Sequence, residues 1–221
     1  MKRCRLLVEG ATEETFVNRL LKPHLYSLGF HDVSVTVVLT KRAADGRKFT
    51  GGVSRWSRLR QDIQNLAADS GAVVTTMVDF YGLPNDVPGF SSLDPRLDPR
   101  SQVRVLEQAI AADIDMPNFL PHISLHEFEA LLYTDPSAVS AHFGDPNLAD
   151  RLDKDLTECG EPELVDNGPS TAPSKRLANH IPRYLKTSDG PAILADLGLP
   201  RIRQACPNFD TWLTEVEKRL A

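Results

Sequence analysis

The chain has 221 residues, 41% hydrophobic and 25% charged, the balance of an ordinary globular protein long enough to bury a sizeable core. A formal net charge of −5 excludes a surface that attracts nucleic acid by bulk charge alone, and no apolar run approaches the ~18 residues of a membrane span. Three widely separated cysteines, Cys4, Cys159 and Cys206, and an N-terminus without a signal peptide's apolar stretch point to free thiols in a reducing cytoplasm.

Residues 4–8 form an apolar, strand-like run that stops at Glu9. A carboxylate at the end of a buried strand is costly unless it is paired or bound to a cation, so Glu9 needs a partner. Thr12 follows as a helix N-cap, and residues 13–28 carry Phe16, Val17, Leu20, Leu21, Leu25 and Leu28 at helical spacing, with Gly29 ending the helix. Residues 33–39 alternate Val33, Val35, Val37 and Leu39 against Ser and Thr, a second strand. A basic, glycine-containing loop comes next. Ser54 then caps a helix to about residue 69 with Trp56, Leu59, Ile63 and Leu66 on one side, and residues 72–80, AVVTTMVDF, are the third strand.

This β-α-β-α-β order predicts a parallel sheet with helices on both faces, and binding groups then gather at the carboxyl ends of the strands. Glu9 and Asp79 both stand there. Residues 82–99, GLPNDVPGFSSLDPRLDP, make a long loop that is functional or mobile. A helix over 101–113 and a fourth strand over 119–126 follow, then a helix beginning EFEALLY at Glu127 that Asp135-Pro136 closes. Helices are expected at 149–157, 174–185, 191–197, 199–206 and 209–220. The expected organisation is an α/β core over residues 1–140 and a helical C-terminal extension over 141–221 packed on it.

Charge is unevenly spread. Between Lys41 and Arg60 seven basic residues face Asp45 alone, whereas Glu127 to Glu163 holds ten acidic residues against Arg151 and Lys154. Lys41, Arg42, Arg47, Lys48 and Arg55 are therefore candidates to neutralise phosphates, with Lys175 and Arg176 a second pair; a solvated loop and helix face is the plain alternative.

The strongest constellation is acidic: Glu9 and Glu13, Asp79, and Glu127 with Glu129. Crowded carboxylates repel one another, and a divalent cation with oxygen ligands relieves that repulsion. Hard donors of this type select Mg²⁺, Mn²⁺ or Ca²⁺ over zinc, and a cation so held orients a phosphodiester, polarises it and activates water. Each acid also has a simpler reading: Glu13 suits the first turn of a helix, and Asp79 before Tyr81-Gly82 suits a turn. His126 is a candidate general base, phosphate contact or metal ligand, or else a buried structural histidine. Walker A, GxGxxG, HExxH and GxSxG motifs are all absent.

LLVEGATEE on the first strand, VVTTMVDFYGLP on the third and HEFEALLYTDP after the fourth resemble the Toprim-like fold. Through GGVSRWSRLRQDI, GPSTAPSKRL and IRQACPNFDTWL, nearly the whole chain resembles an uncharacterised bacterial Toprim-related family, a domain-of-unknown-function group often encoded beside AAA or ABC ATPases. It is more distantly similar to the Toprim domain of the overcoming-lysogenisation-defect nucleases. The resemblance implies a Mg²⁺- or Mn²⁺-dependent phosphodiester hydrolase, a nuclease acting on DNA or RNA in bacterial phage defence with an ATPase partner. Glu9 matches the first-motif glutamate, Glu13 the added acid of the nuclease branch, Asp79 the first aspartate of D-x-D, and Glu127 or Glu129 the later acid. Glu9, Asp79 and His126 are then the catalytic candidates, and Glu9, Glu13, Asp79, Glu127 and Glu129 the metal ligands. The chain departs from the pattern at Tyr81, which takes the second aspartate's place; Asp86, Glu127 or Glu129 is left to substitute. Two other readings stay open: a non-catalytic Toprim-like interaction module, and a small-molecule phosphotransferase using the same cleft.

Overall fold

The computed structural model describes residues 2–42, 48–50, 53, 55–166 and 171–219. Its central element is a parallel sheet of five strands, as the β-α-β alternation implies. The order is β2 (Asp32–Val37), β1 (Arg3–Val8), β5 (Ala72–Asp79) and β6 (Phe119–Leu120), and β7 (Ile123–Ser124) also pairs with β5. Every pairing in this sheet is parallel. Two short strands, β3 (Leu39–Arg42) and β4 (Lys48–Thr50), pair antiparallel apart from it.

Side chains on β1 and β5 alternate between two apolar layers, as strand pleating requires. Cys4, Leu6, Val8, Val73 and Met77 join one cluster, which runs through Phe16 on α1 (Ala11–Phe16), Phe128, Leu177 on α7 (Pro173–His180) and Ile193 on α8 (Asp189–Leu197). It ends at Phe209 and Leu213 on α10 (Pro207–Lys218). Leu7, Val74 and Val78 face the other way, onto Trp56, Leu59 and Ile63 of α3 (Trp56–Ala67) and Val103, Leu106 and Ile110 of α4 (Pro99–Ile114). The C-terminal helix is tied to the sheet by a buried polar contact as well, because Trp212 Nε1 donates to Thr75 Oγ1 at 2.8 Å. That bond spares both groups the cost of burial without a partner.

Several sequence expectations are corrected in detail. The first helix is broken into α1, a π-helical turn over Val17–Leu21, and α2 (Lys22–Ser27). Pro23 brings no N–H to the carbonyl one turn back, and the wider turn absorbs that mismatch. Gly10, not Thr12, is the N-cap, and Glu13 reaches back to it, Gly10 N–H donating to Glu13 Oε2 at 2.9 Å. The N-cap of α3 is Arg55; Ser54 lies outside the described residues. The fourth strand is two pieces, β6 and β7, split at Pro121, which has no ladder donor; Thr76 Oγ1 stitches the gap by accepting from His122 N–H at 2.9 Å. EFEALLY becomes a 3₁₀ turn over Phe128–Thr134 rather than an α-helix, and Asp135 N-caps the next helix, α5 (Pro136–Phe143), instead of only closing the previous one. The helix expected over 174–185 stops at His180.

The loop after β5 is fastened down. Leu83 and Val87 are buried against α3 and α4, and Asp86 Oδ1 accepts the Trp56 N–H at 2.9 Å, satisfying a donor at the start of α3. Among the described residues no helix is long and apolar enough to cross a membrane.

Candidate metal centre

Three neighbouring strands end together. Val8 is in register with Met77, and Asp79 with Ser124, so the residues just beyond β1, β5 and β7 emerge side by side at the carboxyl edge of the sheet. That edge receives Glu9 and Glu13 from β1 and α1, Asp79 from β5, and His126, Glu127 and Glu129 from the segment after β7. Sequence positions spread over about half the chain thus become neighbours because parallel strands point the same way.

Backbone N–H groups fix the acids in place. Asp79 N–H donates to Glu9 Oε2 at 3.1 Å, Phe128 N–H to Asp79 Oδ1 at 2.9 Å, and Ser174 N–H, at the start of α7, to Glu127 Oε2 at 2.9 Å. Glu127 therefore faces the positive end of a helix dipole, a role for the GPSTAPSKRL stretch that its sequence did not declare. Glu129 is 2% exposed as a side chain and is paired with Lys186, Nζ to Oε1 3.0 Å. Gly82 closes over Glu9 so tightly that a Cβ there would fall 2.3 Å from Glu9 Oε2.

The electrostatics are those of crowded anions. Burial, then the neighbouring carboxylates Glu9, Glu13, Glu129 and Glu127, hold the Asp79 carboxyl well above its usual range. Burial raises Glu9 too, against the Asp79 hydrogen bond and the Lys186 charge. Burial, with Glu9 and Glu129 adding repulsion, pushes Glu13 up to about 7, and burial raises Glu129 despite Lys186. For Lys186, partial burial acts against its charge, but Glu129, Glu127 and Asp79 prevail and its pKa rises. Among the described residues, five carboxylates thus face the Lys186 ammonium. By donor type and charge the set fits a hard divalent cation. The ligand shell is not preassembled: among the described residues no three His, Cys, Asp or Glu side chains form a ready metal-binding group. One oxygen of each carboxylate is instead engaged by a backbone N–H or by Lys186.

Tyr81 does not point its hydroxyl into this acid set. It donates to Asp166, while Tyr81 N–H donates to His126 O at 3.4 Å. Asp166 Oδ2 also lies 3.6 Å from His126 Nδ1, a buried nitrogen with no hydrogen-bond partner among the described residues. Burial lowers the His126 pKa, against Asp166 and Glu127. Asp86, a possible stand-in for the missing aspartate, is committed to the N-terminus of α3. Lys186 and Asp166 carried no signal in the sequence, for they belong to no spacing motif, and only tertiary packing brings Lys186 to Glu129 and Asp166 to Tyr81 and His126.

The basic candidates divide. Lys41 and Arg42 lie on β3 and Lys48 on β4, strands where a loop was expected; Arg47 lies outside the described residues. Arg55 and Lys175 are exposed. Arg176 is not available to phosphates. Its side chain is 11% exposed, Nη1 pairs with Asp155, and Nε donates to Thr171 O at 2.9 Å.

The structure thus groups carboxylates from three segments at the carboxyl edge of a parallel α/β sheet. The chain belongs to DUF4276, a domain of unknown function, whose family model matches residues 8–217. No curated protein matches it. Among solved structures, it is similar to the C-terminal region of the Burkholderia pseudomallei OLD protein, with 18% identity, a TM-score of 0.45, and coverage of 99% of this chain and 98% of that one. It is also similar to the C-terminal region of the Xanthomonas campestris pv. campestris OLD protein, with 14% identity, a TM-score of 0.41, and coverage of 99% and 97%.

Proposed function

We propose that the chain is a divalent-metal-dependent nuclease whose cleft is formed by Glu9, Glu13, Asp79, Glu127 and Glu129. The observation that carries the reading is the Glu9–Asp79 contact, with three further acids close enough to raise the Asp79 pKa. Nothing in an apolar α/β core requires five carboxylates at one strand edge, and their repulsion is a standing cost that a bound cation removes. Mg²⁺ or Mn²⁺ held there would polarise a phosphodiester and activate water. On this reading Glu9 and Asp79 hold the cation, Glu13 and one of Glu127 and Glu129 complete its shell, and His126 contacts the scissile phosphate. Exposed Arg55 and Lys175, with Lys41, Arg42 and Lys48, neutralise the strand's other phosphates. An ATPase partner and a part in bacterial defence, in the cytoplasm, belong to the same proposal and rest on the Toprim-like resemblance of the motifs.

A second reading, a non-catalytic interaction module on the same scaffold, is favoured by the engagement of one oxygen of each carboxylate by a backbone N–H or by Lys186. A nuclease assay with Mg²⁺ or Mn²⁺, on single- and double-stranded DNA and RNA, separates the two. Cleavage by wild type that is lost in Glu9→Ala and Asp79→Ala supports the nuclease. Cleavage unchanged in both variants removes the site, and an inert wild type that also stays inert with an ATPase partner leaves the module.

A further inference from the structure

We propose that Tyr81 is a stacking platform for an unpaired nucleobase, so that the cleft takes single-stranded or frayed nucleic acid in preference to closed duplex. The inference rests on the nuclease reading and adds a substrate class to it.

Tyr81 stands two residues beyond Asp79 and is 42% exposed, whereas His126, whose ring lies beside it, is buried. An exposed aromatic is ordinary when it is loose; this one is held from several directions. Its hydroxyl donates to Asp166 and its N–H to His126 O. Its ring lies 5.7 Å from the His126 ring at 35°, and 6.1 Å from the Phe80 ring, which in turn stacks on Phe90 at 6.3 Å and 26°. A ring already ordered by its neighbours loses little conformational freedom when a ligand covers its open face.

The position matters as much as the rigidity. The cleft is anionic, so a polyanion gains nothing there from charge until a cation arrives, and an uncharged attraction is needed beside it. Stacking a base on a tyrosine supplies one that is indifferent to sequence. Geometry then selects the strand. A closed duplex keeps its bases inside and its phosphates outside, so it cannot bring a phosphate to a cation held at Asp79 and a base face to a ring two residues away. An unpaired nucleotide presents both at once. The tyrosine in the place of an expected metal-binding aspartate is thereby given a task of its own: it lends a surface to the base while the carboxylates attend to the phosphate.

The test is binding of a 2-aminopurine-labelled single-stranded oligonucleotide and its matched duplex to the full chain in Ca²⁺. Wild type, Tyr81→Phe, Tyr81→Trp and Tyr81→Leu are compared, with circular dichroism as the folding control. We expect single strand to bind about tenfold or more tighter than duplex, with 2-aminopurine emission quenched by wild type, Tyr81→Phe and Tyr81→Trp. Tyr81→Leu should weaken the single strand by roughly 5- to 100-fold and abolish the quench, leaving duplex affinity unchanged. Equal affinity for both forms, or a quench and affinity that survive Tyr81→Leu, overturns the inference alone. Should Tyr81→Leu fail to fold, the strand preference and the quench with the Phe and Trp variants decide the matter. Failure of both nucleic acids to bind wild type overturns the inference together with the nuclease reading.

Discussion

The backbone N–H of Asp79 donates to Glu9 Oε2 at 3.1 Å, joining residues 70 positions apart across the β1–β5 pairing. This one bond sets the spacing of the acid cleft. It holds Glu9 against the strand end, and Gly82, a little further along the same chain, has no side chain because the Glu9 carboxylate occupies that space.

Gly82→Ala should therefore act on the site rather than on the fold. The new Cβ would fall 2.3 Å from Glu9 Oε2 and 2.7 Å from its Cδ, so the carboxylate must leave the Asp79 N–H. We expect Mn²⁺ affinity and any cleavage to fall at least about tenfold, the loss of roughly one fixed ligand, with a melting temperature within a few degrees of wild type. Unaltered Mn²⁺ binding would show that the Glu9 position is irrelevant to the cation.

Glu13 gives the cleft a pH signature. Burial pushes its folded-state pKa up to about 7, above the ordinary carboxylate value, so the folded chain holds that proton more tightly than the unfolded chain. The sign follows: stability from this group is present below about pH 4.5 and is lost as pH rises through about 7. Glu13→Gln keeps an acceptor for the Gly10 N–H and removes the charge. It should raise the metal-free melting temperature by several degrees at about pH 8 and by little at about pH 5. An equal effect at both values would contradict the placement of Glu13 among repelling acids.

Arg176 and Lys175 are adjacent and should behave oppositely. Arg176 and Asp155 are both nearly enclosed, at 11% and 12% side-chain exposure, and Asp155 also accepts from Tyr133 Oη at 3.1 Å. Arg176→Ala removes the guanidinium from Asp155, leaving it Tyr133 Oη and His180 Nε2 at 3.0 Å, and should cost about 3 kcal/mol in denaturant unfolding. Lys175→Ala should change stability by less than about 0.5 kcal/mol. If nucleic acid binds, the Lys175 variant should lose affinity chiefly at low salt.

What the sequence disclosed and what it hid divide along physical lines. The sheet, its parallel sense and the convergence of Glu9 with Asp79 follow from apolar runs that each stop at a carboxylate, since β-α-β connections make successive strand ends meet. Glu127 and Glu129 were legible for the same reason, standing just past the strand pieces at 119–124. Pro121 broke that strand, and a period-2 pattern is blind to a missing ladder donor until the partner Thr76 is known. Lys186 and Asp166 were illegible because only tertiary packing brings Lys186 to Glu129 and Asp166 to Tyr81 and His126. Arg176 misled for the converse reason. A basic residue at a helix start reads as a phosphate contact until Asp155, on α6 (Leu148–Cys159), is seen to claim it.

The most direct measurement is calorimetric titration of Mn²⁺ into the metal-free chain, alongside Asp79→Asn, which keeps the size and an acceptor for the Phe128 N–H but removes the charge. The account expects saturable heat from wild type and at least about a tenfold weaker interaction in the variant. No saturable heat from wild type, or identical isotherms for the two proteins, would contradict it.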